Sequence, residues 1–242
     1  MKGYLYSFLG NAYLNRFDRE KASYYFKNAI NCNTKNVVAI YNYGLILLQD
    51  GYFKQGLELF LKAKELNDKK ASRKSFLPAA INRTMLLQKN IPLAIASSYW
   101  RLNEMDKAID MLEGLRKEYD YINPNTLATL GYFYIVVKNY EKAEEITLLA
   151  LKDNENYYPA WDNMGQIYLE QNDYDKAKEY FEKSISINPK SVDSLYHLGI
   201  IEEAKENKEK AKEYFKKALG CNITSLNTIT KEGIENKLKE LD

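Results

Sequence analysis

The 242-residue chain has one histidine, His197, two cysteines and five prolines. A single imidazole excludes metal sites built on a histidine pair and acid–base designs that need two. No phosphate-cradling glycine loop, dinucleotide fingerprint or nucleophile elbow occurs. Charge of one sign is also lacking: 35 Lys and Arg stand against 33 Asp and Glu, so bulk charge points to neither a nucleic acid nor a membrane surface. No apolar run is long enough to span a bilayer. The acids alternate with lysines at helical spacing, as from Asp173 to Lys178 and from Glu202 to Lys212, which reads as solvated, salt-bridged faces rather than a carboxylate pair. The two cysteines, Cys32 and Cys221, are expected as reduced core thiols of a cytoplasmic protein.

What is present is a period. Trp161, Met164, Gly165 and Tyr168 mark one stripe of a helix, and Ala177, Phe181, Ser184 and Ile185 mark a second. Gln171–Asn172–Asp173 separates them, Asp173 being placed to cap the second helix, and Pro189 stops it for lack of an N–H. One repeat earlier and later the same columns return, with Gly131, Gly165 and Gly199 in one and Ala143, Ala177 and Ala211 in another. A period of this length predicts stacked supersecondary units, here helical hairpins.

These residues resemble the tetratricopeptide repeat family. The resemblance implies an all-α, right-handed α-solenoid of six helical hairpins, with an inserted helix and a C-terminal capping helix, as a single domain. The repeats read as 3–36, 37–70, 89–122, 124–157, 158–191 and 192–225. The register breaks after repeat 2. Residues 71–88 are read as an insert whose helix starts near Pro78, with Leu77, Ile81 and Met85 on one face and Ala80, Thr84 and Leu87 on another. Repeat 3 is expected to open a helix of its own at Asn90–Ile91–Pro92. Ile229, Ile234, Leu238 and Leu241, within 226–242, predict the capping helix. The total expected is thirteen helices plus the insert helix.

In proteins of this kind the first helix of each hairpin lines a concave groove that takes extended peptides. Carried onto this sequence, the groove candidates are Tyr4, Phe8, Asn11, Tyr41, Asn42, Leu45, Trp100, Arg101, Tyr132, Asp162, Asn163, Gln166, Glu170, Asp193, Tyr196 and His197. Their aromatic residues are of the type that supplies binding hot spots, and the asparagine amides both donate and accept. Asp162, Glu170, Asp193 and Glu203 give the last two repeats an acidic character. The expected ligand is a protein or peptide segment, apolar toward one end and neutral or basic toward the other. A clamp for acidic chaperone tails is disfavoured, because the matching positions are Ser7, Asn11, Asn42, Asn90 and Ala94, which keep asparagines and lack the charges.

The leading expectation is a non-catalytic interaction scaffold or adaptor without a cofactor or metal. A second reading is a peptide-sensing regulator, or a regulatory or targeting subunit of an enzyme, acting through the insert helix. A third places an acidic partner or RNA on Lys69, Lys70, Arg73 and Lys74. Nucleic acid is otherwise disfavoured, and self-association stays open.

Overall fold

The computed structural model describes residues 1–71, 78–119, 122–224 and 227–241, with side chains outside 70–86. Regular structure among these residues is entirely helical. The chain divides into two compact units, Met1–Glu118 and Tyr119–Asp242. The first holds α1 (Lys2–Leu14), α2 (Arg19–Asn31), α3 (Val37–Gln49), α4 (Phe53–Ala71), α5 (Pro78–Arg101) and α6 (Met105–Glu118). The second holds α7 (Pro124–Val136), α8 (Tyr140–Asp153), α9 (Tyr158–Glu170), α10 (Tyr174–Ile187), α11 (Val192–Ala204), α12 (Lys208–Leu219) and α13 (Lys231–Leu241).

Each odd-numbered helix up to α11 packs against the even-numbered helix after it. Within the first unit α1 also lies against α3, and α3 against α5. Within the second, α7 lies against α9 and α9 against α11. Second helices start where a short polar side chain takes an orphan amide. Asp18 accepts from Lys21 N, Asn139 from Lys142 N and Asp173 from Lys176 N. The turn inside a hairpin carries one residue in the left-handed region, among them Gly51 at φ 83° and Asn172 at φ 60°.

The glycine column has a packing cause. A Cβ on Gly165 would sit 2.6 Å from the Phe181 ring, and one on Gly44 2.6 Å from Phe60. The two helices of a hairpin therefore close on a phenylalanine that only glycine leaves room for. Phe26, Phe60, Phe181 and Phe215 are all fully buried, each contributing about 1.5–3 kcal/mol of apolar burial.

The structure corrects three expectations. Residues 78–101 form one helix, with Pro92 inside it. The second half of the insert is therefore the N-terminal extension of the first helix of repeat 3, and there are thirteen described helices rather than fourteen. Leu87, Ile91, Ala94 and Ile95 form one buried row on the α3–α4 core. That packing offsets the single backbone hydrogen bond a proline removes. The assignments of Leu77, Ile81, Met85, Ala80 and Thr84 to insert faces, and of Lys70, Arg73 and Lys74 to a basic cluster, lie outside the described side chains. Lys69 pairs with Glu65. Finally, Cys32 is exposed and Cys221 half-buried, so neither is a core thiol.

Candidate functional site

In the first unit the face of α1, α3 and α5 gathers several of the expected residues. Asn42 Nδ2 donates to Asn11 Oδ1 at 2.9 Å, joining two adjacent first helices, while Asn11 Nδ2 donates to Ser7 O at 2.8 Å. Both amides stay half-exposed and keep further capacity to donate or accept. At the C-terminal end of α5 the Arg101 guanidinium lies over Trp100 at 4.7 Å and over Phe53 at 5.3 Å, a stacked cation that orders both rings. Tyr41 is more deeply set. Its ring tilts onto Phe60 at 5.7 Å and, with Leu45, packs on the α3–α4 core. Burial pushes the Tyr41 hydroxyl up to about 12. Tyr4 and Phe8 are exposed.

The second unit departs from the expected open groove. Asp162, Asn163 and Gln166 are buried. Asn163 Nδ2 donates to Ala128 O at 2.7 Å, on the preceding first helix. Asp162 accepts from Gln166 Nε2 at 2.6 Å and from Ser194 Oγ at 2.6 Å. Ser194 in turn meets Ser184 Oγ at 2.8 Å and Ser191 Oγ at 2.9 Å. These groups hold neighbouring repeats together. Burial, with Asp193 adding to it, pushes the Asp162 carboxyl up to about 7 against those hydrogen bonds.

Asp193 is engaged by the segment leading to α13, accepting from Thr228 N at 3.1 Å, Ile229 N at 3.3 Å, Asn227 Nδ2 at 3.1 Å and the Thr228 hydroxyl. Glu203 pairs with Lys237 of α13 at 3.2 Å. Tyr196 tilts onto Phe215 at 5.4 Å and belongs to the apolar cluster that also holds Ile234 and Leu238 of α13. The His197 ring stacks on Phe181 at 5.1 Å and 17°. Burial lowers its pKa against the opposing pull of Asp193 and Glu170. Of the four acids read as groove charge, Glu170 alone remains exposed, taking a hydrogen bond from Tyr140 OH at 3.1 Å. Tyr132 is half-buried beside Phe133.

Sequence reasoning named Phe8 but missed Leu5, which is exposed beside it on α1. The signal for it was present: residues 1–17 carry no acid, and α1 is apolar around most of its circumference. No described helix is long and apolar enough to cross a membrane. Among the described residues no three His, Cys, Asp or Glu side chains gather to hold a metal ion.

No curated protein matches the sequence. Among solved structures, a chain of the APC/C hetero-tetramer Cut9-Hcn1 matches 99% of this chain at 16% identity and a TM-score of 0.69; this chain spans 42% of its length. PilW, a widely conserved type IV pilus biogenesis factor, matches 88% of this chain and 90% of its own at 17% identity and a TM-score of 0.66. A tetratricopeptide repeat protein from Parabacteroides merdae ATCC 43184 matches 99% and 98% at 20% identity and a TM-score of 0.61. At these identities the likeness is one of fold. Two family models described as tetratricopeptide repeat match the sequence itself, one at residues 158–191 and 192–221 and the other at 93–120. Tetratricopeptide repeats therefore occur in this chain at residues 93–120 and 158–221, within a helical fold that it shares with a tetratricopeptide repeat protein of known structure.

Proposed function

We propose that the chain is a non-catalytic interaction scaffold that takes a peptide or protein segment along the first-helix face of its first unit. The observation that carries this is the Asn11–Asn42 amide pair, set between adjacent first helices with hydrogen-bonding capacity left on each side chain. An extended backbone offers N–H and C=O groups that such amides satisfy without regard to sequence. Trp100, ordered by Arg101, supplies an aromatic anchor on the same row of helices. Assembly with a partner is also what the Cut9-Hcn1 hetero-tetramer does, by its description. The ligand that fits this face offers an apolar side chain to Trp100 and a backbone to the amides; the acids that suggested a basic end, Asp162, Asp193 and Glu203, are held by partners inside the second unit. A cytoplasmic setting suits two free thiols.

The test is affinity capture by the full chain from native lysate, comparing wild type with Trp100→Ala and with an Asn11→Ala/Asn42→Ala pair. A partner lost from both variants, with circular dichroism unchanged, supports the site. A partner retained by both variants overturns it.

A further inference from the structure

Four positions, seen across the two interfaces between successive hairpins of the second unit, show how one repeat receives the next. Ser194, third in its repeat, is fully buried against Asp162 of the preceding first helix. His197, sixth, stacks on Phe181 of the preceding second helix. Tyr168, eleventh, donates its hydroxyl to Glu144 Oε1 at 3.3 Å. Lys205, fourteenth, reaches Asp175 Oδ1 at 2.6 Å. In repeat 1 the same positions hold Leu5, Phe8, Tyr13 and Arg16. Here the third and sixth positions are open: Leu5 is 56% and Phe8 62% exposed.

The receiving surface is nevertheless built. In repeat 5 Tyr180 stacks on Tyr168 at 5.3 Å and on Trp161 at 5.9 Å, and Lys176 lies over Tyr168 at 4.9 Å. Repeat 1 reproduces this with Tyr25 on Tyr13 at 5.2 Å, Tyr6 at 6.3 Å from Tyr25, and Lys21 over Tyr13 at 5.3 Å. The charge is one-sided. Residues 1–17 include Lys2 and Arg16 and neither Asp nor Glu. A second copy docked face to face would set these cations against each other, whereas an acidic occupant complements them.

We propose that this end of the first unit docks an amphipathic acidic helix of a partner protein, bearing two carboxylates three residues apart and a large apolar residue three further on. The spacing is that of the positions held in the second unit by Asp175, Glu144 and Phe181. One carboxylate pairs with Arg16, the other accepts from the Tyr13 hydroxyl, and the apolar side chain covers Phe8. Carboxylates three apart share one helix face with the apolar residue, so a single helix presents all three. The anchor Phe8 shares α1 with Asn11 of the amide pair, whereas Trp100 lies on α5, so a Trp100 variant tests the amide-lined face without touching this end.

The probe is a stapled helical peptide of residues 140–153, the helix that meets Tyr168, carrying Thr147→Phe and labelled for fluorescence anisotropy against the full-length chain. Binding is expected, weakened about tenfold or more by Phe8→Asp, by Leu5→Asp, and by Glu141→Lys/Glu144→Lys in the probe. Trp100→Ala is expected to leave it unchanged. Both substituted positions are exposed, and circular dichroism checks that the variants fold. No binding, equal binding of the charge-reversed probe, or indifference to Phe8→Asp overturns the proposal. A dimer in sedimentation that Phe8→Asp abolishes also overturns it, since the face then belongs to a second copy.

Discussion

The buried Glu202 carboxylate accepts from Lys178 Nζ at 2.6 Å, an ion pair reaching from the first helix of repeat 6 to the second helix of repeat 5. One repeat earlier the same two positions are Tyr168 and Glu144, joined by a hydroxyl-to-carboxylate hydrogen bond. The chemistry has been exchanged across the interface and the connection kept. Lys210 completes the exchange, at 3.3 Å from Glu202, where its counterpart Lys176 lies over the Tyr168 ring.

Glu202→Ala opens a cavity and leaves Lys178, itself a quarter exposed, without its partner, and is expected to cost about 1–3 kcal/mol. Glu202→Tyr alone should also destabilise, and adding Lys178→Glu should recover most of the loss by recreating the repeat 5 arrangement. A double-mutant cycle in urea reads the coupling. Burial raises the Glu202 pKa, but hydrogen bonds from Lys178, Asn207 and Lys210 and the charge of Lys178 bring it down to about 2. A depressed carboxylate pKa means this stability is present above the unfolded value of 4.5 and is lost as pH falls toward about 2. The acid limb of the stability curve should therefore flatten in Glu202→Gln.

Asp162 carries the opposite sign. Its carboxyl, raised to about 7 by burial, stays protonated in the fold at pH values where the unfolded chain has ionised near 3.8. Its contribution is full below 3.8 and lost as pH rises through about 7. Asp162→Asn keeps a partner for Ser194 and should remove this decline, with its largest relative gain above neutrality. His197, held below 6.5 by burial despite Asp193 and Glu170 nearby, loses its contribution as pH falls through 6.5 and below. Urea midpoints across about pH 5–8 for wild type, Asp162→Asn and His197→Gln separate the two. A wild-type-like profile in both variants would falsify the assignment.

The scaffold was legible because its constraints repeat. Gly165 against Phe181, the Asp173 cap and the turn at Asn172 each recur one repeat away, and a sequence displays recurrence directly. The candidate site was less legible because a period says which positions are free of the pattern without saying what they face. Asp162 and Asn163 look unconstrained by the repeat, yet each reaches an adjacent first helix, and Asp162 does so through Ser194, which the pattern also leaves free. The long α5 was hidden for a different reason. Pro92 reads locally as a helix start, and only the burial of Leu87, Ile91 and Ile95 along one row reveals that tertiary packing carries the helix through it.

Two glycines should respond in opposite directions to the same change. Gly165→Ala would drive a methyl group to 2.6 Å from the Phe181 ring, and the hairpin must open or the ring must leave its rotamer, at about 1–3 kcal/mol. Gly114 lies exposed within α6, with nothing within 4 Å of an added Cβ. Gly114→Ala should therefore stabilise by about 0.5–1 kcal/mol through backbone entropy. Thermal melts of the two variants check the contrast.

Phe17, like Lys138 and Glu206, takes the left-handed position of a hairpin turn without being Gly or Asn. It sits in the left-handed region at φ 59° and is 95% exposed, so its ring gains almost no burial for the strain its Cβ imposes. The equivalent turn residues include Gly51 and Asn172, which adopt this region more readily. Phe17→Gly should raise stability by about 1 kcal/mol, the gain from relieved strain being partly offset by greater freedom in the unfolded chain. Phe17→Val should lower it, because branching at Cβ tightens the same clash. If urea midpoints fall in both variants, the Phe17 ring is held by contacts that its exposure does not reveal, and the strain account of this turn is wrong.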